Sequence, residues 1–429
     1  MSGRVKIDVG GNPLVETPTW VDFDELAACR CSGFEITTGR QSEFDTTDTG
    51  TATVYFNDRD GTLNDPDLVG SPIQLNVQDP TTGDWETQYR GTIDDVTYDV
   101  NPNAFVSNVQ LQCKDLFDYL AQTEMLVGVF GQVTTTGSVL YEDQRVDERI
   151  EDLLTDAQVA DALSIVFTGN VNVWDTFYDS GDSVLVALRD AADAEFPGIA
   201  NLYVDRFGRI CFHGRFARFD PDTVSASASG WDFQRWSAAT RGDVGSGVGQ
   251  IRRFSFNRPR SRIVNAAIAW PRYAADGSLF AEEDKGSQVR TDSTSITRYG
   301  YRAKSPMGDL IIADNFNNSN TGADECQLFA EFYVNNYATP RTNIQTVTFK
   351  SVRPDVAHAS ETWGLLLSAD ISDIVALTVG EAGLSAEDYY IEGFHKVVRR
   401  LDGPVGFDMV ETTPNLTPFA YYTDNVFEA

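Results

Sequence analysis

The residues best suited to chemistry are three histidines, five cysteines and sixty-four carboxylates. His213, His358 and His395 have no second histidine, and no cysteine pair, at the spacings that hold zinc. His213 follows a strand pattern and reads as a packing or surface residue. The cysteines are Cys29, Cys31, Cys113, Cys211 and Cys326. Cys29 and Cys31 would share a face of a strand, but a disulfide across one residue is strained. All five read as reduced thiols used as small core residues. There is no G-x-S-x-G elbow and no phosphate loop; the glycine-rich run from Gly242 to Gly249 lacks the lysine and reads as a flexible loop. Among so many carboxylates chance pairs are guaranteed, so no acid/base dyad can be singled out. Asp58-Arg59-Asp60-Gly61 through Asn64-Asp65-Pro66-Asp67 is loosely like a calcium loop, without the regular alternation and closing glutamate. It reads as an acidic hairpin turn, with calcium binding as the alternative. No catalytic, cofactor-binding or metal-binding residue is assigned, and no enzymatic activity is expected.

Charge is the most unusual global property. Thirty-three basic residues against sixty-four acidic ones give −31, and only six of the bases are lysine. A field of that sign repels nucleic acid, so no stable DNA or RNA binding is expected. Abundant carboxylates with few lysines look like the proteins of salt-loving microbes. Self-repulsion costs stability at low salt, and a Debye length of about 3 Å at molar salt removes most of that cost. A GC-rich genome would explain arginine over lysine, but not the twofold acid excess. No run of about 18 apolar residues is present, so no membrane-spanning helix and no membrane binding are expected. The N-terminal stretch from Met1 to Glu16 has no apolar core of a signal peptide. The expectation is a protein made and folded inside a cell, or in a particle assembled there.

The elements follow from hydrophobic period and turn chemistry. A chain of 429 residues suggests two to four domains. Residues 1–118 read as short strands, with Thr51–Phe56, Ile73–Val77 and Val106–Cys113 the clearest. Gly, Asp, Asn and Pro clusters separate them, as expected of a barrel or sandwich. A helix should follow Asp115. Residues 119–217 read as a small α+β domain. Val146, Ile150, Leu153 and Leu154 share a helical face, and Ser183 is a good N-cap for a second helix. A hairpin follows, Asn201–Asp205 and Arg209–His213. Residues 218–250 read as a linker or loop. Residues 251–429 return to strands, notably Ile263–Trp270 and Ile344–Phe349, with one helix from Asp324 to Tyr337 that Pro340 stops.

The order of segments carries a resemblance. It begins with Trp20–Phe23, Cys31–Arg40 and Asp48–Gly61, then Tyr89-Arg90-Gly91-Thr92-Ile93, where the family has an F-x-G-x-I/V strand. The middle third offers Asp147–Ile150, Ala187–Phe196 and Leu202-Tyr203-Val204-Asp205-Arg206-Phe207-Gly208-Arg209-Ile210-Cys211-Phe212, matching a hairpin L-[FY]-V-D-x-x-G-R-[IV]-x-F. Ser295–Gly300, Phe329–Pro340, Asp370–Val375 and Tyr390–Val397 complete the series. In this order the chain resembles the tail hub, or minor tail, proteins of long-tailed viruses, the baseplate hub family. The acidity departs from the family pattern and suits a virus of a halophilic host.

The resemblance implies a mainly β fold. Two β-barrel-like domains would be joined by a small helix-plus-hairpin α+β insert. It implies a homotrimer whose six barrels mimic sixfold symmetry in a closed ring without exposed sheet edges. The implied partners are a distal tail or tail tube protein, a tape measure protein, and tail fibre or receptor-binding proteins, with viral DNA only in transit. The implied place is the virion tail tip, assembled in the host cytoplasm. No cofactor is implied. The rival readings are a hexameric distal tail or fibre-attachment protein, a tail-associated envelope hydrolase, and a receptor-binding protein.

Overall fold

The computed structural model describes residues 4–418, apart from 15–16, 24–28, 43–44, 102–105, 127–128, 134–138, 143, 220–232, 241–243, 245–246, 275–277, 313–321 and 402–406. Thirteen strands make one continuous sheet. In the first part of the chain these are β1 (Val5–Ile7), β2 (Val21–Asp22), β3 (Cys29–Gly39), β4 (Asp48–Asp58), β5 (Pro72–Gln78), β6 (Trp85–Asn101) and β7 (Val106–Lys114). The later part supplies β8 (Arg235–Ala239), β9 (Gly249–Asn257), β10 (Asn343–Lys350), β11 (Ile374–Val379), β12 (Leu384–Arg399) and β13 (Met409–Pro418). Alternation explains the strands that were legible. In β4, Ala52, Val54 and Phe56 are buried while Thr51 and Tyr55 face out; in β7, Val109, Leu111 and Cys113 are buried.

The sheet order is β2-β1-β5-β6-β7-β4-β3-β12-β11-β8-β9-β10-β13, and β12 also pairs with β13. That second pairing closes β12, β11, β8, β9, β10 and β13 into a six-stranded barrel. The first seven strands form the N-terminal half of the sheet, which joins the closed barrel where β3 meets β12. The molecule is thus mainly β. One core of buried side chains runs under both halves, from Val5 and Phe34 to Trp363 and Leu416.

A second core joins residues 116–212 to residues 264–337. Helices α1 (Leu116–Gln122), α2 (Val146–Asp156), α3 (Val184–Glu195) and α4 (Arg215–Phe219) belong to the middle region. Asp115 caps α1 by accepting the Phe117 amide at 3.0 Å, and Ser183 caps α3 through the Val186 amide at 3.4 Å. The hairpin pairs Asn201–Val204 with Ile210–His213.

The structure differs from the sequence reading in two places. Within 218–250, read as a linker, β8 runs in the barrel wall, parallel to β11. Its five residues have no pattern of their own; neighbouring strands determine it. Residues 251–429, read with one helix, contain three among the described residues: α5 (Ser293–Tyr299), α6 (Gly322–Tyr337) and α7 (Ala359–Leu367). In α5 only Ser295 is buried, so no apolar stripe marks it. Helix α7 buries Thr362, Trp363 and Leu365–Leu367, a run too apolar to show a face. The Ser295–Gly300 motif therefore lies on a helix, and α6 packs on the middle region.

Candidate functional site

The two halves meet along one antiparallel ladder, from Gly33 opposite Arg399 to Gly39 opposite Gly393. The backbones approach closely there. A Cβ on Gly33 would lie 2.3 Å from the Val398 carbonyl oxygen, and one on Gly39 would lie 2.3 Å from that of Glu392. Gly393 is as crowded, 2.5 Å from the Thr38 oxygen. Gly39 also has φ +81°, a conformation that favours glycine.

A buried ion network braces this seam. The Glu392 carboxylate, on β12, accepts from Arg40 Nε at 2.8 Å and from Arg218 Nη2 at 2.7 Å. Arg40 directly follows β3 and also donates to the Gly198 carbonyl at 3.2 Å. Arg218 lies on α4, 4.4 Å over the Tyr390 ring, and the Tyr390 hydroxyl donates to the Arg218 carbonyl. One carboxylate therefore ties the N-terminal half, the barrel and the middle region together. Burial alone would raise its pKa; the charges of Arg218 and Arg40 reverse this and hold it at about 2.

Further buried polar groups are engaged in the same way. Lys396 Nζ donates to Gln88 Oε1 at 2.6 Å, and Gln88 Nε2 donates to the Leu367 carbonyl at 3.0 Å. Burial, then the charge of Arg206, pull the Lys396 ammonium down to about 7. The Asp373 carboxylate accepts from the amides of Asp370 and Gln234, each at 3.0 Å, and from the Trp236 indole at 3.2 Å. Burial pushes it up to about 7. Arg4 reaches both oxygens of Asp408, at 2.9 and 2.7 Å, linking the start of the first half to the loop before β13. These groups hold elements together; each is bonded to a neighbour from another element.

Beside the network lies a cavity of about 220 Å³. It is lined by Arg40, Asp45, Arg189, Asp193, Lys304 and Tyr333. Its charges are mixed in sign, and Arg40 is already held by Glu392. It does not select one ligand charge.

The residues weighed for chemistry lie apart. His213 is buried against the rings of Phe167, Phe233 and Tyr203, at 4.7, 4.9 and 5.3 Å. Burial pulls its pKa well below the usual histidine range. His358 precedes α7, and His395 faces Thr37 and Glu35, each at 3.2 Å. All five cysteines are buried thiols. The Asp58 carboxylate accepts from the amides of Asp60, Thr62 and Leu63 at 3.3, 3.1 and 2.9 Å, which is turn chemistry. Among the described residues, no three His, Cys, Asp or Glu side chains are grouped to hold a metal. Part of the Gly242–Gly249 run lies outside the described residues.

Arg40, Glu392 and Lys396 fall inside stretches that carry the resemblance, yet nothing local gives them or Arg218 these roles, because their side-chain partners lie 174 to 352 residues away. One overlooked signal was local. Residues 249–263 contain five arginines and no acid, in a chain of charge −31.

No protein-family model matches the chain, and no curated protein does. Solved structures do. The fold is that of viral tail proteins. The tail protein from Neisseria meningitidis MC58 aligns with a TM-score of 0.56 over 99% of both chains, at 13% identity. The 43 kDa tail protein of prophage MuSo2 from Shewanella oneidensis aligns with a TM-score of 0.54 over 98% of this chain and 99% of its own, at 12% identity. At these identities the likeness is one of fold.

Proposed function

We propose that the chain is a structural subunit of a viral tail, the hub at its tip. Three copies form a ring that caps the tail tube, attaches tip proteins and passes DNA during genome delivery. The observation that carries this reading is the fusion of two β units, one a closed barrel, along a glycine-lined seam. Three such chains place six units around one axis and so match a sixfold tube to a threefold tip. The buried Arg40–Glu392–Arg218 network suits a part that must transmit force without its halves separating. The likeness in fold to two tail proteins over nearly the full chain supports the tail assignment. The net charge of −31 suits a channel through which DNA slides, since counterion release favours only basic surfaces. It also suits assembly in the cytoplasm of a salt-loving host.

Native mass measurement and symmetry in electron micrographs of the purified ring test this. Three copies are expected. Six copies would make the chain a distal tail ring instead, and a strict monomer would sink the hub reading.

A further inference from the structure

Each half of the molecule ends in a two-stranded ribbon with an open edge. Strand β6 pairs with β5 only over Trp85–Thr92, while β7 pairs with its other side from Thr92 to Asn101. From Asp94 onward, no strand among the described residues lies against the β5 side. In the barrel, β9 pairs with β8 only at Gly249 and Gln250, while β10 pairs with its other side from Ile251 to Asn257. From Ile251 onward, no strand among the described residues lies against the β8 side. Such edges are templates for another strand, and both display apolar side chains. Val100 is 63% exposed, and the partly exposed Phe256 ring lies tilted beside that of Phe254, with centroids 5.8 Å apart.

The two edges carry opposite charge. The β6 edge presents exposed Asp95 and Asp99, two residues either side of Thr97 and hence on one face. The β9 edge presents exposed Arg252 and Arg253, which make no ion pair among the described residues; Arg258 and Arg260 follow, also exposed. Like edges repel when two copies meet, and unlike edges attract. In a chain of charge −31, general repulsion opposes association, so a basic ribbon is the patch able to overcome it.

We propose that the acidic β6/β7 ribbon of one copy adds edge to edge to the arginine-rich β9/β10 ribbon of the next. The contact is head to tail, joining the first half of one chain to the barrel of its neighbour. A head-to-tail contact closes into a ring when its rotation permits. Facing side chains on paired strands lie about 5 Å apart, close enough for Asp–Arg pairs. The proposal rests on the ring reading above and names the surface through which copies join.

The test is sedimentation velocity on the full chain, in the lowest salt at which circular dichroism stays native. Wild type is expected to associate. Arg252→Glu with Arg253→Glu should leave a folded monomer, and so should Asp95→Arg with Asp99→Arg. Combining all four changes swaps the charges and should restore the oligomer. A wild type that associates equally well with either reversal overturns this contact and leaves the ring reading standing. Two monomeric reversals without rescue in the fourfold variant also overturn it. A monomeric wild type overturns the ring reading and the contact with it.

Discussion

Glu392 sits between two guanidiniums with no access to water, so its charge matters more than its size. Replacing it by glutamine keeps the volume and leaves two buried cations uncompensated. Breaking a buried pair this way costs about 3–5 kcal/mol, to be read from urea unfolding of the Glu392→Gln variant. The pH dependence has a definite sign. The folded-state pKa is depressed from 4.5 to about 2, so the stabilisation is fully present above 4.5 and is lost as pH falls through about 2. Acid unfolding of the wild type should show this component, and that of the variant should lack it. None of this was legible in the sequence, where Arg40, Arg218 and Glu392 are three ordinary charged residues. The caps Asp115 and Ser183 were legible, because a cap bonds to an amide two or three residues away.

At the scale of elements, the seam between β3 and β12 sets the tolerance of the fold. Alanine at Gly39 would force a Cβ against the Glu392 carbonyl and hold φ at +81°. The expected loss is about 2 kcal/mol or more, with an unchanged circular dichroism spectrum at low temperature. Unchanged unfolding of Gly39→Ala would show that the two backbones part easily. Strands with clean alternation, such as β4 and β7, were visible to a period-two reading. Strand β8 was not, since its conformation comes from β11 beside it. Helix α7 was hidden for the opposite reason: it is buried on nearly every side, so no polar face reports its period.

For the whole molecule, charge governs the conditions under which it holds together. The thermal midpoint should rise by roughly 5 °C or more between about 0.1 M and about 3 M NaCl, as screening relieves self-repulsion. A flat profile would remove the case for a high-salt setting. The two-unit plan became legible only through the order of weak motifs along the chain, since no single strand announces a barrel. The seam also sets a timetable for synthesis. Strand β3 ends at Gly39, and the strand that covers its outer edge ends at Arg399. At ribosomal rates of roughly 5–20 residues per second, β3 waits on the order of half a minute with that edge bare. Nascent chains on one messenger are therefore exposed to mispairing with each other, and a chaperone that holds the emerging first half should raise the yield of soluble protein.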